Sequence, residues 1–300
     1  MILLSNNRIW DVITEENTLD TIHLAISFKN FQKIENKRKI AIQNNRLEAS
    51  KEDFVKAKIS QNNKQFDCNI RLKGDLPDHW SGDKFSLRVE MKGGNLINGM
   101  SKFSLQDPAT RMDTAEWLFL NSLRKEGLMA VRYDFVNLVI NGKAMGIYAL
   151  EEHFSKEMIE ANNRREGVIA KFSDDLFWKI YPPYNLTNID WNSMFRSSAV
   201  DIRNSNKNST LMDQSTTAHN LLKMMQRSEI KASKLLDFDK TAKFLALTKL
   251  WSAEHGLDFD DINFYFNPIN CLLEPIGYDA NPNGIKSDYC YFSWGYYKDN

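Results

Sequence analysis

The stretch SAEHGLDFDDINFYFNP, residues 252–268, places three carboxylates within four positions, at Asp258, Asp260 and Asp261. Carboxylates this close repel one another, so a bound cation, a shared proton or solvent has to offset their charge. Three interpretations follow: a metal site, a catalytic base, or a solvated acidic turn before a hairpin. Residue spacing decides between some of these alternatives.

A calcium-binding EF-hand loop does not fit this stretch. Counted from Asp258, the chain has Ile262, Asn263 and Ile269 where that loop needs an oxygen ligand, Gly and Glu. Asp258 and Asn263 instead have the D-x-x-x-x-N spacing of the catalytic loop of phosphoryl-transfer kinases, in which the Asp accepts a hydroxyl proton and the Asn holds magnesium. His255 precedes them.

The residues after Asn263 predict a short hairpin that ends at Asp279. Because a hairpin folds back on itself, Asn263 and Asp279 are expected to meet at its open end. Oxygen ligands from two separate positions suit magnesium, which keeps water and phosphate oxygens in its remaining positions. The spacing therefore indicates a divided site, with a base on one side and metal ligands on the other.

Length and charge narrow the classes of function. Three hundred residues suffice for one large domain or for two lobes that share a cleft. The 39 basic and 39 acidic residues cancel, so no general surface for a nucleic acid polymer or an anionic membrane is expected. No run of about 18 apolar residues predicts a membrane span, and no signal peptide is evident, which leaves the compartment open. Three Cys residues without C-x-x-C spacing predict neither a disulfide framework nor a zinc site.

The elements that must position these residues begin with strands. Apolar and polar residues alternate in IHLAISFKNF, in VKAKISQNNKQFDCNIRLKG and in KFSLRVEMKGG. In the second segment, Asn62-Asn63 predicts the turn of a hairpin. In the last segment, Leu87 and the apolar residues two positions away share one face, so Lys84, Ser86 and Arg88 lie on the other. Lys84 is therefore a candidate for pointing into a cleft.

Helices and hairpins are predicted to follow. Residues 109–127 have helical periodicity and end at Gly127. The dipeptide Asn141-Gly142 between two alternating segments predicts a hairpin, and a helix is expected over 155–165. Further helices are predicted in TAHNLLKMMQRS and in FDKTAKFLALTKLWSAE, the latter capped by Asp237 or Asp239, before the hairpin of NFYFNP and CLLEPIGYD.

Three segments resemble the CotH family of atypical, spore-coat-type protein kinases, in particular its longer bacterial branch. They are RLKGDLPDHWSGDKFSLRVEMKGG, EWLFLNSLRKEGLMAVRYDFVNLVINGKAMGIYALEEHFSKEMIE and NFYFNPINCLLEPIGYDAN, and the resemblance spans about residues 67–284. It implies an α+β, divergent protein-kinase-like fold with an antiparallel-sheet N-terminal lobe and a mainly helical C-terminal lobe. It also implies that ATP and magnesium are used to phosphorylate Ser residues of partner proteins.

The resemblance assigns roles in the nucleotide site. The segment KFSLR matches the family's K-S-Y-R strand, which implies that Lys84 binds ATP phosphates and that Glu116 forms an ion pair with it. Gly74 and Gly82 match the turn whose backbone N–H groups approach phosphates. Glu152 matches an acidic residue and is assigned either to the nucleotide edge or to a structural pair.

The resemblance also assigns Asn263 and Asp279 to the metal positions and Asp258 to the base. In the longer branch the position of Asp258 is often not acidic, so the base stays open among Asp258, Asp260 and Asp261. The family's W-D-x-D motif reads GYDANP here, with Asn281 at the second acidic place.

Four segments are expected: a β-rich N-terminal extension (1–65), a kinase-like N-lobe (66–172), an irregular inter-lobe segment (173–213) and a C-lobe (214–300) with the catalytic and metal loops. Because 21 residues follow Asp279, the C-lobe is expected to be small or truncated.

The sequence predicts two main functions. The first is an ATP- and magnesium-dependent Ser/Thr kinase acting on partner proteins of a coat or surface. The alternative is a catalytically inactive, kinase-like binding or assembly protein of a spore coat, cell surface or exopolysaccharide system. A third option is AMP transfer, or modification of a non-protein hydroxyl, by the same pocket.

Overall fold

Twelve strands and seven helices make up the part of the chain that the structure, a computed structural model, describes: residues 19–180, 190–205 and 208–282. The strands are β1 (Thr21–Ala25), β2 (Val55–Gln61), β3 (Lys64–Leu72), β4 (Leu87–Met91), β5 (Lys102–Gln106), β6 (Met129–Ala130), β7 (Tyr133–Ile140), β8 (Lys143–Glu152), β9 (Ile169–Phe172), β10 (Val200–Arg203), β11 (Asn263–Asn267) and β12 (Leu272–Gly277). The helices are α1 (Phe28–Asn44), α2 (Ala115–Lys125), α3 (Lys156–Ala161), α4 (Asp175–Ile180), α5 (Trp191–Ser197), α6 (Ser209–Gln226) and α7 (Phe238–Leu250). The expected mixed α+β class is confirmed.

Seven strands close into a barrel in the order β1-β2-β3-β4-β5-β8-β7. Closure comes from a parallel pair between β1 and β7, in which Thr21 lies beside Asn137. The other neighbours in the barrel are antiparallel. Strands β1 and β2 are thus integral to the barrel, although the sequence placed them in an extension before the N-lobe.

Two tight turns set the register of the barrel hairpins. Asn62 and Asn63 both have positive φ, at 50° and 60°, and so do Asn141 and Gly142, at 50° and 83°. Two consecutive residues with positive φ are typical of the turns whose twist matches paired strands. The hairpins β2–β3 and β7–β8 were both predicted and are confirmed.

Helix α1 interrupts the first segment that was predicted as a strand. The strand in IHLAISFKNF stops at Ala25, and Ser27 caps a helix by accepting a hydrogen bond from the backbone N–H of Asn30. Ile34 and Ala41 are buried on its inner face. The prediction of a strand through Phe31 is wrong because a helix cap follows after five strand residues.

A second sheet has the order β10-β9-β11-β12-β6. It contains the predicted hairpin β11–β12, in which Asn263 lies opposite Ile276. Helix α6 packs on β9 and β10, and α7 packs on β12 and α2. Asp237 caps α7 by accepting a hydrogen bond from the N–H of Lys240, as predicted.

The segment 173–213, predicted to be irregular, carries structure wherever it is described. It contains α4, α5, β10 and the start of α6. Residues 181–189 and 206–207 of that segment lie outside the described residues. The prediction failed there because the two short helices have too few turns to give a periodic pattern.

The residues that the structure describes form two hydrophobic cores. One fills the barrel interior, and the other lies between the second sheet, its helices and the outer face of the barrel near Tyr133 and Ala149. None of the described helices combines the length and apolarity that a membrane crossing requires. The polar groups that could take part in a reaction lie where the outer face of the barrel meets the second sheet.

Candidate active site

A row of polar side chains crosses four barrel strands. Arg88 lies opposite Ser104, Ser104 opposite Glu151, and Glu151 opposite Tyr133. Directly opposed residues of an antiparallel pair project from the same face, and all four are buried. Because their apolar neighbours along each strand fill the barrel, this polar row, Arg88–Ser104–Glu151–Tyr133, lies on the outer face.

Lys73 extends from the end of β3 towards the polar row and is 6% exposed. Its Nζ donates to Oε2 of Glu151 at 2.6 Å and to Oε1 of Gln106. Burial lowers the pKa of Lys73, and the charge of Glu151 opposes that effect. The ion pair therefore offsets the cost of burying both charges.

Lys73 was not predicted as a site residue, although the sequence contains a signal for it. Cys68, Ile70 and Leu72 alternate into the barrel, so the same period places Arg71 and Lys73 on its outer face. The role of Lys73 depends on its partner on that face, Glu151. Because Glu151 is distant in sequence, the alternating pattern of β3 alone does not identify Lys73 as a site residue.

Asp279 lies just beyond β12 and binds Arg111. Nη2 of Arg111 lies 2.7 Å from Oδ1 and 2.8 Å from Oδ2 of Asp279. Burial disfavours the charged carboxylate, but the charges of Arg111 and Lys73 outweigh that effect and hold the pKa of Asp279 below its ordinary value. Asp279 is therefore an ionised carboxylate at neutral pH. Arg111 was not predicted as a site residue.

Asn263 lies at the same open end of the hairpin as Asp279. It pairs with Ile276, three residues before Asp279, and its Nδ2 donates to the carbonyl oxygen of Asp261 at 2.6 Å. Its Oδ1 is buried and has no hydrogen-bond partner among the described residues. A free amide oxygen near an ionised carboxylate is a donor set that magnesium accepts.

The acidic loop between α7 and β11 gathers around His255. Nδ1 of His255 lies 3.3 Å from Oδ2 of Asp258, and Nε2 lies 3.6 Å from Oδ2 of Asp261. The hydrogen bond that His255 donates to the carboxylate of Asp258 raises the pKa of His255 to about 9. His255, Asp258 and Asp261 each offer one ligand atom, and these atoms lie within 4.8 Å of one another.

The three aspartates of the loop differ in environment. Burial and the negative charge of Asp279 raise the pKa of Asp261 well above its ordinary value, and burial also raises that of Asp260. The side chain of Asp258 is 47% exposed. Of the three, Asp258 therefore combines exposure to an incoming hydroxyl with a hydrogen bond that fixes its orientation.

Glu116, in the first turn of α2, is fully buried. Its Oε1 accepts a hydrogen bond from the N–H of Ala280 at 3.0 Å, and its Oε2 accepts one from Asn281 at 2.9 Å. Burial raises the pKa of Glu116 to about 7. Glu116 thus attaches α2 to the segment that follows Asp279.

The structure does not form the predicted ion pair between Lys84 and Glu116. Lys84 Nζ lies 3.5 Å from Oδ1 of Asp107 and donates to the carbonyl oxygen of Ile147 at 3.0 Å. The alternating pattern of the segment begins at β4, after Lys84, so the lysine precedes the strand rather than pointing from it. The buried ion pair on this face belongs to Lys73 and Glu151 instead.

The predicted glycines differ in what surrounds them. Gly74 has a φ of 91°, and a Cβ on it would lie 2.2 Å from the ring of His79, so its open side faces that imidazole. Gly82 has open space around it, with the nearest atom 3.9 Å away, and its carbonyl oxygen accepts a hydrogen bond from Arg38. The atom 3.9 Å from Gly82 is the backbone oxygen of Lys84, whereas the atoms closest to Gly74 all belong to His79.

Glu152 is fully buried and is bound by Arg132. Nε of Arg132 donates to Oε2 at 2.9 Å, and the backbone N–H of the same arginine donates to Oε2 at 3.1 Å. Of the two roles that the sequence left open for Glu152, these contacts correspond to the structural pair.

The sequence model of the family described as CotH kinase protein matches residues 70–267, which is more than half of the 300-residue chain. The matched region contains the polar row, Lys73, Glu116 and the acidic loop. Asp279 lies beyond its end. No curated protein matches the chain.

Proposed function

Because the chain belongs to the CotH kinase family, we propose that it transfers the γ-phosphoryl group of ATP to Ser or Thr hydroxyls of partner proteins of a coat or surface. The observation that carries this proposal is the charge arrangement between the barrel and the second sheet. There, Lys73–Glu151 and Arg111–Asp279 form two buried ion pairs beside the free oxygen of Asn263. Phosphoryl transfer depends on positioned charges of this kind.

Magnesium fits the donor set at the open end of the β11–β12 hairpin. Asn263, through Oδ1, and Asp279, through its carboxylate, would hold the ion, which would neutralise phosphate charge when bound. In the metal-free protein, Arg111 supplies the positive charge that Asp279 needs. Glu116 holds the adjacent backbone in place, which is a positioning role.

Asp258 is the proposed base. One of its carboxylate oxygens accepts the proton of the substrate hydroxyl as the hydroxyl oxygen bonds to the γ-phosphorus and the bond to the leaving ADP oxygen breaks. His255, bound to Asp258 and Asp261, fixes the orientation of the carboxylate. The base proposal favours Asp258 over Asp260 and Asp261 because of its exposure.

Lys73 takes the phosphate-binding role that the family resemblance gave to Lys84. It is the buried lysine of the outer face, and Glu151 holds it as a carboxylate holds the nucleotide lysine of other kinases. Lys84, paired with Asp107, lies at the end of the barrel next to the open turn at Gly82, where the lysine and the backbone of the turn would make a peripheral contact with the outer phosphates that adds little to transfer. Gly74, which faces His79, and Glu152, which binds Arg132, would hold the backbone around the nucleotide site in place.

The two-lobed arrangement is also proposed. The barrel would act as the N-terminal lobe, together with β1 and β2, and the second sheet with α6 and α7 would act as the C-terminal lobe. The segment from 173 to 213 would connect them. The site residues come from both parts, as in kinases whose nucleotide lies between lobes.

A catalytically inactive assembly protein is the second candidate. It is favoured by the internal pairing of Lys73 with Glu151 and of Arg111 with Asp279, which gives each of these charges an opposite charge without a ligand. The Asn281 in place of a second acid also removes one negative charge from the metal site.

Incubation with γ-³²P-ATP, magnesium and a Ser-rich acceptor protein tests the proposal, with wild type beside Asp279→Asn and Asp258→Asn. We expect labelling of the acceptor by wild type and at least a hundredfold loss in both variants. Absent or equal labelling in all three proteins would refute catalysis. Product mass separates phosphorylation from AMP transfer.

A further inference from the structure

In the described part of the chain, Arg88 is a buried cation that no hydrogen bond or ion pair compensates. It lies at one end of the polar row and is 7% exposed. Both Nε and Nη1 are buried, and neither has a hydrogen-bond partner among the described residues. A buried charge is stable only when an opposite charge or several hydrogen bonds compensate it. Glu151, the acid next to Arg88 in this row, is held by Lys73.

Arg203 is a second arginine with an unused donor. It ends β10, and its guanidinium lies 4.7 Å from the centre of the Phe154 ring. Its Nη1 is buried and has no hydrogen-bond partner among the described residues. Stacking on an aromatic ring leaves the edge of a guanidinium free for an anion, because the N–H groups lie in the plane of the fork.

Backbone pairing places the two arginines in one region. Arg88 lies opposite Ser104 on β5, and the backbone N–H of His153 donates to the carbonyl oxygen of Lys102 on the same strand. Arg203 stacks on Phe154, the residue after His153, and the positive charge of Arg88 adds to the effect of burial that lowers the pKa of Arg203. Burial is the main reason why the pKa of His153 lies well below its ordinary value, and the charges of Arg88 and Arg203 lower it further. His153 is therefore neutral, and its Nδ1 is buried without a partner in the described part of the chain.

The acidic groups nearest this place do not neutralise it. Asp174 and Asp201 act on Arg203 through their charges but form no ion pair with it among the described residues. Tyr278 packs on Phe154, with 4.9 Å between the ring centroids, so an aromatic ring rather than an acid lies beside Phe154. The region around Arg88 and Arg203 thus carries two uncompensated positive charges in low dielectric, which an anion would offset.

We infer that Arg88 and Arg203 form an anion-binding subsite of the cleft and that it takes a phosphate group of the nucleotide. This inference rests on the proposed function for its choice of ligand. A phosphate group presents several oxygens to two guanidinium forks, whereas a carboxylate presents two. The subsite is distinct from the metal end at Asn263 and Asp279, and Lys73 lies between the two ends, as its interactions with both Arg88 and Asp279 indicate.

Thermal unfolding with tripolyphosphate tests this subsite, since that probe carries phosphate groups without a nucleoside. The buffer contains no sulfate or phosphate, and adenosine and ATP are measured in parallel. We expect tripolyphosphate and ATP to raise the unfolding temperature of wild type and adenosine to have a smaller effect. Arg88→Met is expected to bind tripolyphosphate at least about tenfold more weakly, because charge-assisted hydrogen bonds are lost.

The stability of the ligand-free variant adds a second readout. Removing an uncompensated buried charge should leave the unfolding temperature of Arg88→Met equal to or above that of wild type. A purely structural arginine would lower it. Arg88→Lys keeps the charge but loses the fork and should show wild-type stability with weaker binding. Arg203→Met should weaken tripolyphosphate binding in the same direction.

Arg124→Met is the control. Arg124 is a partly buried arginine of α2 whose Nη1 donates to the carbonyl oxygen of Ala130 and to Oδ1 of Asn162 and whose Nη2 donates to the carbonyl oxygen of Ala161. Its replacement should leave tripolyphosphate affinity within about twofold of wild type. Affinities that are equal in wild type, Arg88→Met and Arg88→Lys would overturn the subsite.

The same proteins in the radiolabel assay separate the two proposals. Wild type that transfers no phosphate but binds tripolyphosphate, together with an Arg88→Met variant that binds it more weakly, would refute the kinase proposal and support the subsite. If wild type transfers phosphate and Arg88→Met binds tripolyphosphate unchanged, the subsite alone fails.

Discussion

The guanidinium of Arg111 contacts both carboxylate oxygens of Asp279, at 2.7 and 2.8 Å, and so joins a short turn after barrel strand β5 to the loop after β12. The contact spans 168 residues of sequence. It places a cation where the proposed magnesium ion would act on the same carboxylate. Metal binding therefore has to compete with, or add to, an internal ion pair.

Arg111→Gln should make folding stability depend on magnesium. Without metal, the buried Asp279 loses its counter-charge, which costs about 3–5 kcal/mol. Millimolar magnesium should restore more stability to this variant than it adds to wild type, because the ion now supplies the missing charge. Urea unfolding with EDTA or with magnesium measures the difference.

Arg132→Gln controls for the general cost of breaking a buried ion pair. It leaves Glu152 without its partner and should destabilise the protein by a similar amount, with no additional gain from magnesium. Equal responses of the two variants to magnesium would contradict a metal role for Asp279.

Replacement of Lys73 should abolish phosphate transfer, while replacement of Lys84 should not. Because Lys73→Met alone leaves Glu151 buried and unpaired, the informative variant combines it with Glu151→Gln, which removes both charges. We expect transfer to fall about a hundredfold or more in the double variant. Lys84→Met should keep activity within about threefold and lose less than about 1 kcal/mol, since its pair with Asp107 is partly exposed. The reverse ranking would restore the assignment to Lys84.

Glu116→Gln should change how stability varies with pH. The pKa of Glu116 rises from 4.5 to about 7 on burial, so between these values the folded state binds a proton that the unfolded state has released. Wild type therefore loses stability relative to the Gln variant as pH rises from 4.5 to 7, by on the order of 1–3 kcal/mol, and the difference is constant above that range. Urea unfolding of both proteins from pH 4.5 to 8 measures it. A difference that does not change with pH would contradict the raised pKa.

Gly167→Ala should destabilise the fold. A Cβ there would lie 2.8 Å from Cε2 of Tyr265 and 2.9 Å from the backbone oxygen of Phe266, so we expect a loss of about 1–3 kcal/mol from overpacking. Gly82→Ala is the matched control, because the nearest atom to its Cβ would be 3.9 Å away. The Gly82→Ala variant should have the same denaturant midpoint of unfolding as wild type. Equal midpoints in a chemical denaturation would contradict the packing around Gly167.

Local chemistry made part of the fold predictable. The hairpins at Asn62-Asn63 and Asn141-Gly142 are encoded by residues that tolerate positive φ. The hairpin between Asn263 and Asp279 could be predicted in the same way, from an alternating pattern and a turn. These features depend on neighbours in sequence, and a single sequence contains them.

The arrangement of charges could not be predicted in this way. Lys73 follows strand β3, and Lys84 precedes strand β4, so both lie near strand ends. Their partners, Glu151 for Lys73 and Asp107 for Lys84, are distant in sequence and decide which lysine is buried. The role of Glu116 likewise depends on backbone N–H groups far along the chain. Barrel closure by β1 was missed for the same reason, since its partner lies on β7.

That parallel pair also affects how the chain can fold during synthesis. Thr21 pairs with Asn137, so the first barrel strand leaves the ribosome long before the strand that it must join. At about 5–20 residues per second, β1 waits on the order of ten seconds with an unpaired edge. Long-range pairing of this kind slows folding and leaves that edge open to other chains. The capped helix α1 and the hairpin β2–β3, which form from local contacts, are the elements available to shield it in the meantime.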